Sequence, residues 1–111
     1  MKRLTTNEEI FLIAIWHLGD EAYGVNIREQ ILDLTGTELT FGTLYNTLDN
    51  LYKKGYVSTR KGEPSPQRGG HNKVFYSITR QGEKALQQAH ELHEKLWKGM
   101  PKTVFEKGNK S

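Results

Sequence analysis

Phe41-Gly42-Thr43-Leu44-Tyr45-Asn46-Thr47-Leu48-Asp49-Asn50-Leu51-Tyr52-Lys53-Lys54, closed by Gly55, is the stretch on which the fold turns. Set at helical spacing, Leu44, Leu48 and Leu51 fall in one stripe, flanked by Tyr45 and Tyr52. The opposite side carries Thr43, Asn46, Thr47, Asn50 and Lys54, with Asp49 to its side. Thr and Asn are weak helix formers, and a merely solvated face ordinarily carries Glu and Lys instead. Their side chains do suit base edges: Asn pairs bidentately with adenine, Thr meets a thymine methyl, and Lys meets phosphate or guanine. An undistinguished polar face is the alternative, and the flanking segments bear on the choice.

Upstream, Tyr23 to Thr35 reads as a helix with Ile27, Ile31 and Leu34 on one side and Gly36 as its stop. Only Thr37 to Thr40 separates it from the helix above, so the two must cross steeply, as in a helix-turn-helix. Thr40 and Gly42 then stand where a helix N-terminus can offer a backbone amide to phosphate. Further upstream, Thr6-Asn7-Glu8-Glu9 has capping-box spacing, with Thr6 and Glu9 as the reciprocal pair. The helix it opens runs to about Leu18 and contains Ile10 to Trp16, seven apolar residues in a row. Such a run is apolar on every side and needs cover on more than one. A small domain covers one face, so a second copy is expected on the other, with Phe11 and Ile15 at that dimer interface.

Downstream of Gly55 the period changes to two. Tyr56 to Arg60 and Lys73 to Ile78 read as paired strands. Between them, Lys61 to Asn72 contains Gly62, Pro64, Pro66, Gly69 and Gly70, a composition suited to a long hairpin tip. Arg60, Arg68, His71 and Lys73 on this hairpin, with Lys54, are the candidates for holding phosphates. A basic hairpin after a helix-turn-helix can run along a DNA backbone or enter a minor groove. Thr79 then caps a last helix, Arg80 to about Gly99, with Ala85, Ala89, Leu92 and Leu96 spaced as a seam for another helix. The expected organisation is a reading unit over 1–78, a dimerisation helix over 79–101 and a flexible tail over 102–111.

Composition narrows the function. Residues 2–51 hold three Lys/Arg against eight Asp/Glu, a balance of −5, whereas residues 52–80 hold seven against Glu63 alone, a balance of +6. A segregated basic centre points to an anionic partner, of which nucleic acid is the usual one. With no cysteine, thiolate metal sites, disulfides and thiol nucleophiles drop out together. The longest apolar run falls far short of the ~18 residues of a membrane span, and a cytoplasmic location is expected. His90 and His93 lack further ligands for a metal, and no nucleophile–base pair or phosphate loop is visible. Neither a cofactor, a metal nor catalysis is expected.

Three pieces together resemble the PadR family of bacterial transcription regulators: Tyr23-Gly24-Val25-Asn26-Ile27; Gly42-Thr43-Leu44-Tyr45 with Leu48, Leu51, Lys54-Gly55 and Tyr56; and Gly69-Gly70 followed by Phe75-Tyr76-Ser77-Ile78-Thr79-Arg80-Gln81-Gly82. The likeness spans about residues 4–98 and is to the short subgroup, whose C-terminal part is a single helix. It implies a mainly α fold with a small β-hairpin: a winged helix-turn-helix plus one C-terminal dimerisation helix. It further implies a homodimer that represses genes on double-stranded DNA and releases it when a small molecule binds. In similar short members, aromatic residues flank a cavity for flat hydrophobic compounds, which would involve Trp16, His93 and Trp97. Plain packing is the simpler reading of those three. The chain departs from the pattern at Asn46, where many members have Pro, and at His71-Asn72-Lys73, where relatives are richer in Arg. A dimer with two recognition helices is expected on an inverted repeat, with Thr43, Asn46, Thr47 and Asn50 facing base edges. The competing reading is a winged helix that binds protein instead of DNA, which would show exposed apolar residues on the third helix.

Overall fold

A computed structural model describes residues 3–64 and 72–101 of the chain. Its elements are α1 (Thr6–Leu18), a short 3-10 turn (Gly19–Glu21), α2 (Gly24–Thr35), α3 (Phe41–Lys53), β1 (Val57–Pro64), β2 (Asn72–Ile78) and α4 (Arg80–Trp97). The tip of the hairpin between the strands, with Arg68, Gly69, Gly70 and His71, and the tail 102–111 lie outside the described residues.

The capping box opens α1 one residue earlier than its expected position. Thr5 is the cap: its hydroxyl accepts the Glu8 N–H at 3.1 Å, and Glu8 Oε1 accepts the Thr5 N–H at 2.9 Å. Thr5-Thr6-Asn7-Glu8 satisfies the same spacing rule as Thr6 to Glu9. The earlier register turns Glu8 inward, where it meets Lys54, and leaves Glu9 to face α4.

The apolar run of α1 divides by exposure in a way its sequence does not foretell. Phe11 and Ile15, expected between two copies, are 1% and 2% exposed inside the protomer's own core. They pack there with Leu12, Ala14, Ile27, Ile31, Leu44, Leu48 and Leu51. The outward face of α1 belongs instead to Ile13 and Trp16, 41% and 69% exposed. A helix apolar on all sides has no intrinsic inward direction, so Ile27 and Ile31 of α2 and the leucines of α3 choose one.

α2 ends on Gly36 in the left-handed region (φ 76°), which spares a Cβ clash and lets its N–H bond the Leu32 carbonyl at 2.7 Å. Ile27 and Ile31 are buried, but Leu34 is exposed because the last turn of α2 runs past the core. α3 begins at Thr40, whose hydroxyl accepts the Thr43 N–H at 3.1 Å, and it buries the leucine stripe 44, 48 and 51. The strands form one antiparallel pair, Val57 opposite Ile78 and Lys61 opposite Val74. β1 runs four residues beyond the expected Arg60. Gly62 permits this extension: a Cβ there would sit 2.6 Å from a ring carbon of Phe75, so only a glycine lets that ring cover the strand. On its other side β2 is tied to the segment between the 3-10 turn and α2, the Tyr76 N–H bonding Ala22 O at 2.8 Å.

α4 is locked to the rest of the protomer at its first turn. Thr79 donates its N–H to Tyr56 O (3.0 Å) and its hydroxyl to Gly55 O (2.6 Å), and its hydroxyl oxygen accepts the Gly82 N–H (3.1 Å). Ala85, expected at a dimer seam, is buried against this same protomer. Ala89 and Leu92 are half-buried, whereas Leu96 and Trp97 are exposed. The seam therefore splits, its first turns used within the chain and its last turns left outside.

Candidate nucleic-acid interface

Three buried leucines fix which side of α3 faces out. Thr43, Asn46 and Asn50 are exposed, Thr47 is half-buried, and Gly42 opens the first turn. The Thr40 hydroxyl donates to Thr43 Oγ1 at 3.1 Å while capping the helix, so these two side chains form one small polar unit at its start. Asp49 lies on the exposed surface of this helix, where Lys53 pairs with it at 2.9 Å. That i, i+4 pair partly neutralises the lone carboxylate of the helix and is itself solvent-exposed.

Lys54, expected among the phosphate ligands, is turned toward α1. Its ammonium is 2.5 Å from Glu8 Oε2, whose side chain is only 5% exposed. A buried carboxylate binds its counter-ion more firmly than solvent would allow, and Lys54 is drawn back toward α1. Burial pushes the Glu8 carboxyl up, but the Lys54 bond and the Thr5 hydrogen bonds outweigh it and leave the group below its ordinary value.

Sequence reading missed Arg28, Phe41 and Tyr45. Arg28 donates to Leu39 O (2.6 Å) and to Glu38 Oε1 (2.9 Å), bracing the turn between α2 and α3. Its guanidinium lies 4.8 Å from the Phe41 ring centre, and Phe41 stacks on Tyr45 at 6.5 Å. Phe41 and Tyr45 remain about half exposed. The signal was partial: Arg28 is a rare cation in an acidic half, but Phe41, three residues before Leu44, shares the leucine stripe at helical spacing and reads as core.

On the hairpin, the cations are held on aromatic faces. Arg60 lies 4.5 Å from the centre of Phe75, and Lys73 lies 4.0 Å from the centre of Tyr23. Tyr23 and Phe75 meet edge to face at 5.5 Å, so both cations rest on one aromatic pair at the root of the hairpin. Arg60 also approaches Asp20 O at 3.4 Å. Between α3 and the hairpin runs a groove of about 570 Å³ lined by Gly42, Tyr45, Asn46, Asp49, Tyr52, Thr59 and Tyr76. Burial, then nearby Tyr45 and Asp49, raises the Tyr76 phenol, which stays a protonated donor.

Trp16, His93 and Trp97 are expected around a cavity between two copies, and in one protomer all three are exposed. His93 lines a groove of about 520 Å³ between the start of α1 and α4, with Leu4, Glu9, Ala89 and Leu92, and neither tryptophan lines it. His93 Nε2 is 2.8 Å from Glu9 Oε1, and His90 pairs separately with Glu94 at 3.0 Å. Trp16 meets His17 edge to face at 5.0 Å.

A helix set behind a short turn from the one before it and followed by a two-stranded hairpin is a winged helix. Residues 13–88 match the model of the transcriptional regulator PadR-like family, and the chain belongs to that family. No curated protein matches it by sequence. Among solved structures, a transcriptional regulator from Clostridium thermocellum is similar over 87% of this chain and 91% of its own, at 28% identity and TM-score 0.68. F93 from STIV, a winged-helix DNA-binding protein, is similar over 88% and 98% respectively, at 24% identity and TM-score 0.64. A PadR family regulator from Clostridium difficile shares the fold over 89% and 95%, at 22% identity and TM-score 0.59. The chain is thus a transcriptional regulator of winged-helix type and not an enzyme. No helix among the described residues is long and apolar enough to cross a membrane.

Proposed function

We propose that the chain acts as a cytoplasmic homodimeric repressor that reads an inverted repeat in duplex DNA and is released by a flat hydrophobic or aromatic effector. The observation that carries the DNA reading is the exposed row Thr43, Asn46 and Asn50 on α3, set beside a hairpin rooted in Arg60 and Lys73. In this reading α3 enters a major groove, Thr47 contributes from its half-buried edge, and Thr40 and Gly42 present the helix N-terminus to a phosphate. Arg60 and Lys73, with Arg68 and His71 beyond the described residues, follow the backbone. The 1–78 unit reads DNA and the 79–101 helix pairs two copies.

Support for the dimer is the outward apolar surface left by Ile13 and Trp16 on α1 and by Leu96 and Trp97 on α4. Large exposed apolar side chains on two helices are a surface that association removes from water. Ala89 and Leu92 border it, and a second copy there would bring aromatic rings around an effector. One observation favours a different reading: Phe41, Tyr45 and Tyr52 on α3 are exposed as well, which a protein-binding winged helix would use.

Fluorescence anisotropy with a labelled duplex from the chain's own upstream region, at two salt concentrations, separates the readings. Binding that weakens steeply with salt supports DNA recognition. A chain that binds no duplex at low salt contradicts it and leaves the protein-binding reading.

A further inference from the structure

Among the described residues Glu8 is the buried charged side chain, 4% exposed. It sits in the first turn of α1, accepts the Thr5 N–H through Oε1, and accepts Lys54 through Oε2 across 46 residues of chain. Lys54 is the residue that closes α3. The leucine stripe fixes which side of α3 faces the core, but contacts without direction do not by themselves define the fine angle of the helix. A hydrogen-bonded ion pair at one end has direction, and fixing register is the best-attested use of a buried charge pair. The adjoining Glu9 meets His93 of α4, so one turn of α1 touches both the end of the reading helix and the C-terminal helix.

We infer that Glu8 is a positioning residue for DNA recognition: through Lys54 it sets the angle at which α3 presents Thr43, Asn46 and Asn50, and Lys54 serves that tie in place of a phosphate. The inference rests on the DNA reading above. The two roles for Lys54 give opposite signs. If Lys54 is a tie, Glu8→Gln misaligns α3, and sequence preference falls while the electrostatic footprint is kept. If Lys54 is a latent phosphate ligand, Glu8→Gln frees a cation and every duplex binds more tightly.

The test measures wild type, Glu8→Gln, Lys54→Met, Lys54→Arg and the Glu8→Gln/Lys54→Met double variant on the bound upstream duplex and on a scrambled duplex, across a salt series. Circular dichroism confirms that each is folded at the assay temperature. Glu8→Gln and Lys54→Met are each expected to lose about 3- to 30-fold of the preference for the upstream duplex. The double variant should lose no more than either alone, the salt slope should stay unchanged, and Lys54→Arg, which can still reach Glu8, should keep the preference. Should Glu8→Gln not fold, Lys54→Met carries the test, since its side chain is 32% exposed and its loss leaves α3's leucines in place. Tighter binding of both duplexes by Glu8→Gln, or a slope reduced by about 1 in Lys54→Met, would overturn the inference. A wild type that binds neither duplex refutes the DNA reading itself, an outcome distinct from variants that misbehave on a binding wild type.

Discussion

Gly82 stands where α4 leaves the winged helix, and replacing it by Ala tests how firmly that junction is built. A Cβ at this position would lie inside the contact surface of the Tyr56 carbonyl oxygen, 3.1 Å from its carbon and 2.8 Å from Ile78 Cγ2. The opposing atom is backbone, already engaged by the Thr79 N–H at 3.0 Å, and has no room to retreat. Gly→Ala within a helix gains about 1 kcal/mol of propensity. Overpacking against backbone costs up to about 3 kcal/mol, so the net change is about 2 kcal/mol of destabilisation. For a domain of this size that lowers Tm by roughly 8–16 °C. Gly24→Ala is the internal control: its Cβ would meet the Tyr45 hydroxyl at 2.5 Å, but that ring is half-exposed and can swing aside. Its rotamer cost and its propensity gain nearly cancel, and stability should stay within about 1 kcal/mol. Thermal melts by circular dichroism read both. If Gly82→Ala melts with wild type, or if Gly24→Ala is the worse of the two, the packing assigned to this junction is wrong.

The remaining expectations divide between recognition, association and acid stability. Asn50→Ala should relax sequence preference with little change in stability, whereas Lys73→Ala should weaken all duplexes alike and flatten the salt slope by about 1, both by anisotropy. Phe11→Ala removes a core ring and should cost about 3–5 kcal/mol in urea unfolding. Trp16→Ala should spare the fold and instead favour monomers in sedimentation velocity; unfolding by both or by neither would contradict their assigned places. The Glu8 carboxyl is held below its ordinary 4.5, so the unfolded chain takes up that proton first. Its contribution is full above the unfolded value and is lost as pH falls from about 4.5 through the lower folded value. Urea midpoints followed through that window should therefore decline less steeply in Glu8→Gln than in wild type.

The third helix was legible because Leu44, Leu48 and Leu51 repeat at helical spacing, Thr40 caps them and Gly55 ends them, three signals of one kind. The hairpin was legible from its change of period, but not its length, since Gly62 owes its place to the Phe75 ring of the other strand. Two overlapping capping boxes could open α1, and only the reach of Glu8 to Lys54, far along the chain, separates them. The same long-range pair turns the Lys54 ammonium toward Glu8, which its place on the polar side of α3 does not foretell. Which side of Ile10 to Trp16 faces inward is decided by α2 and α3, and no pattern within the run contains that choice. The run by itself places Phe11 and Ile15 outward as readily as Ile13 and Trp16, which hold that place. Local periodicity carries fold class; partners distant in sequence carry the site's details.

Hydroxyl-radical footprinting of the chain on its own upstream duplex and on duplexes altered in sequence tests the central claim most directly, because it maps the backbone protected by both copies at once. Two protected patches about one helical turn apart are expected, with the adjoining backbone protection weakened by Lys73→Ala and the base preference within them by Asn50→Ala. A single patch, or uniform protection indifferent to both substitutions, would mean that α3 and its hairpin are not the surface that reads DNA.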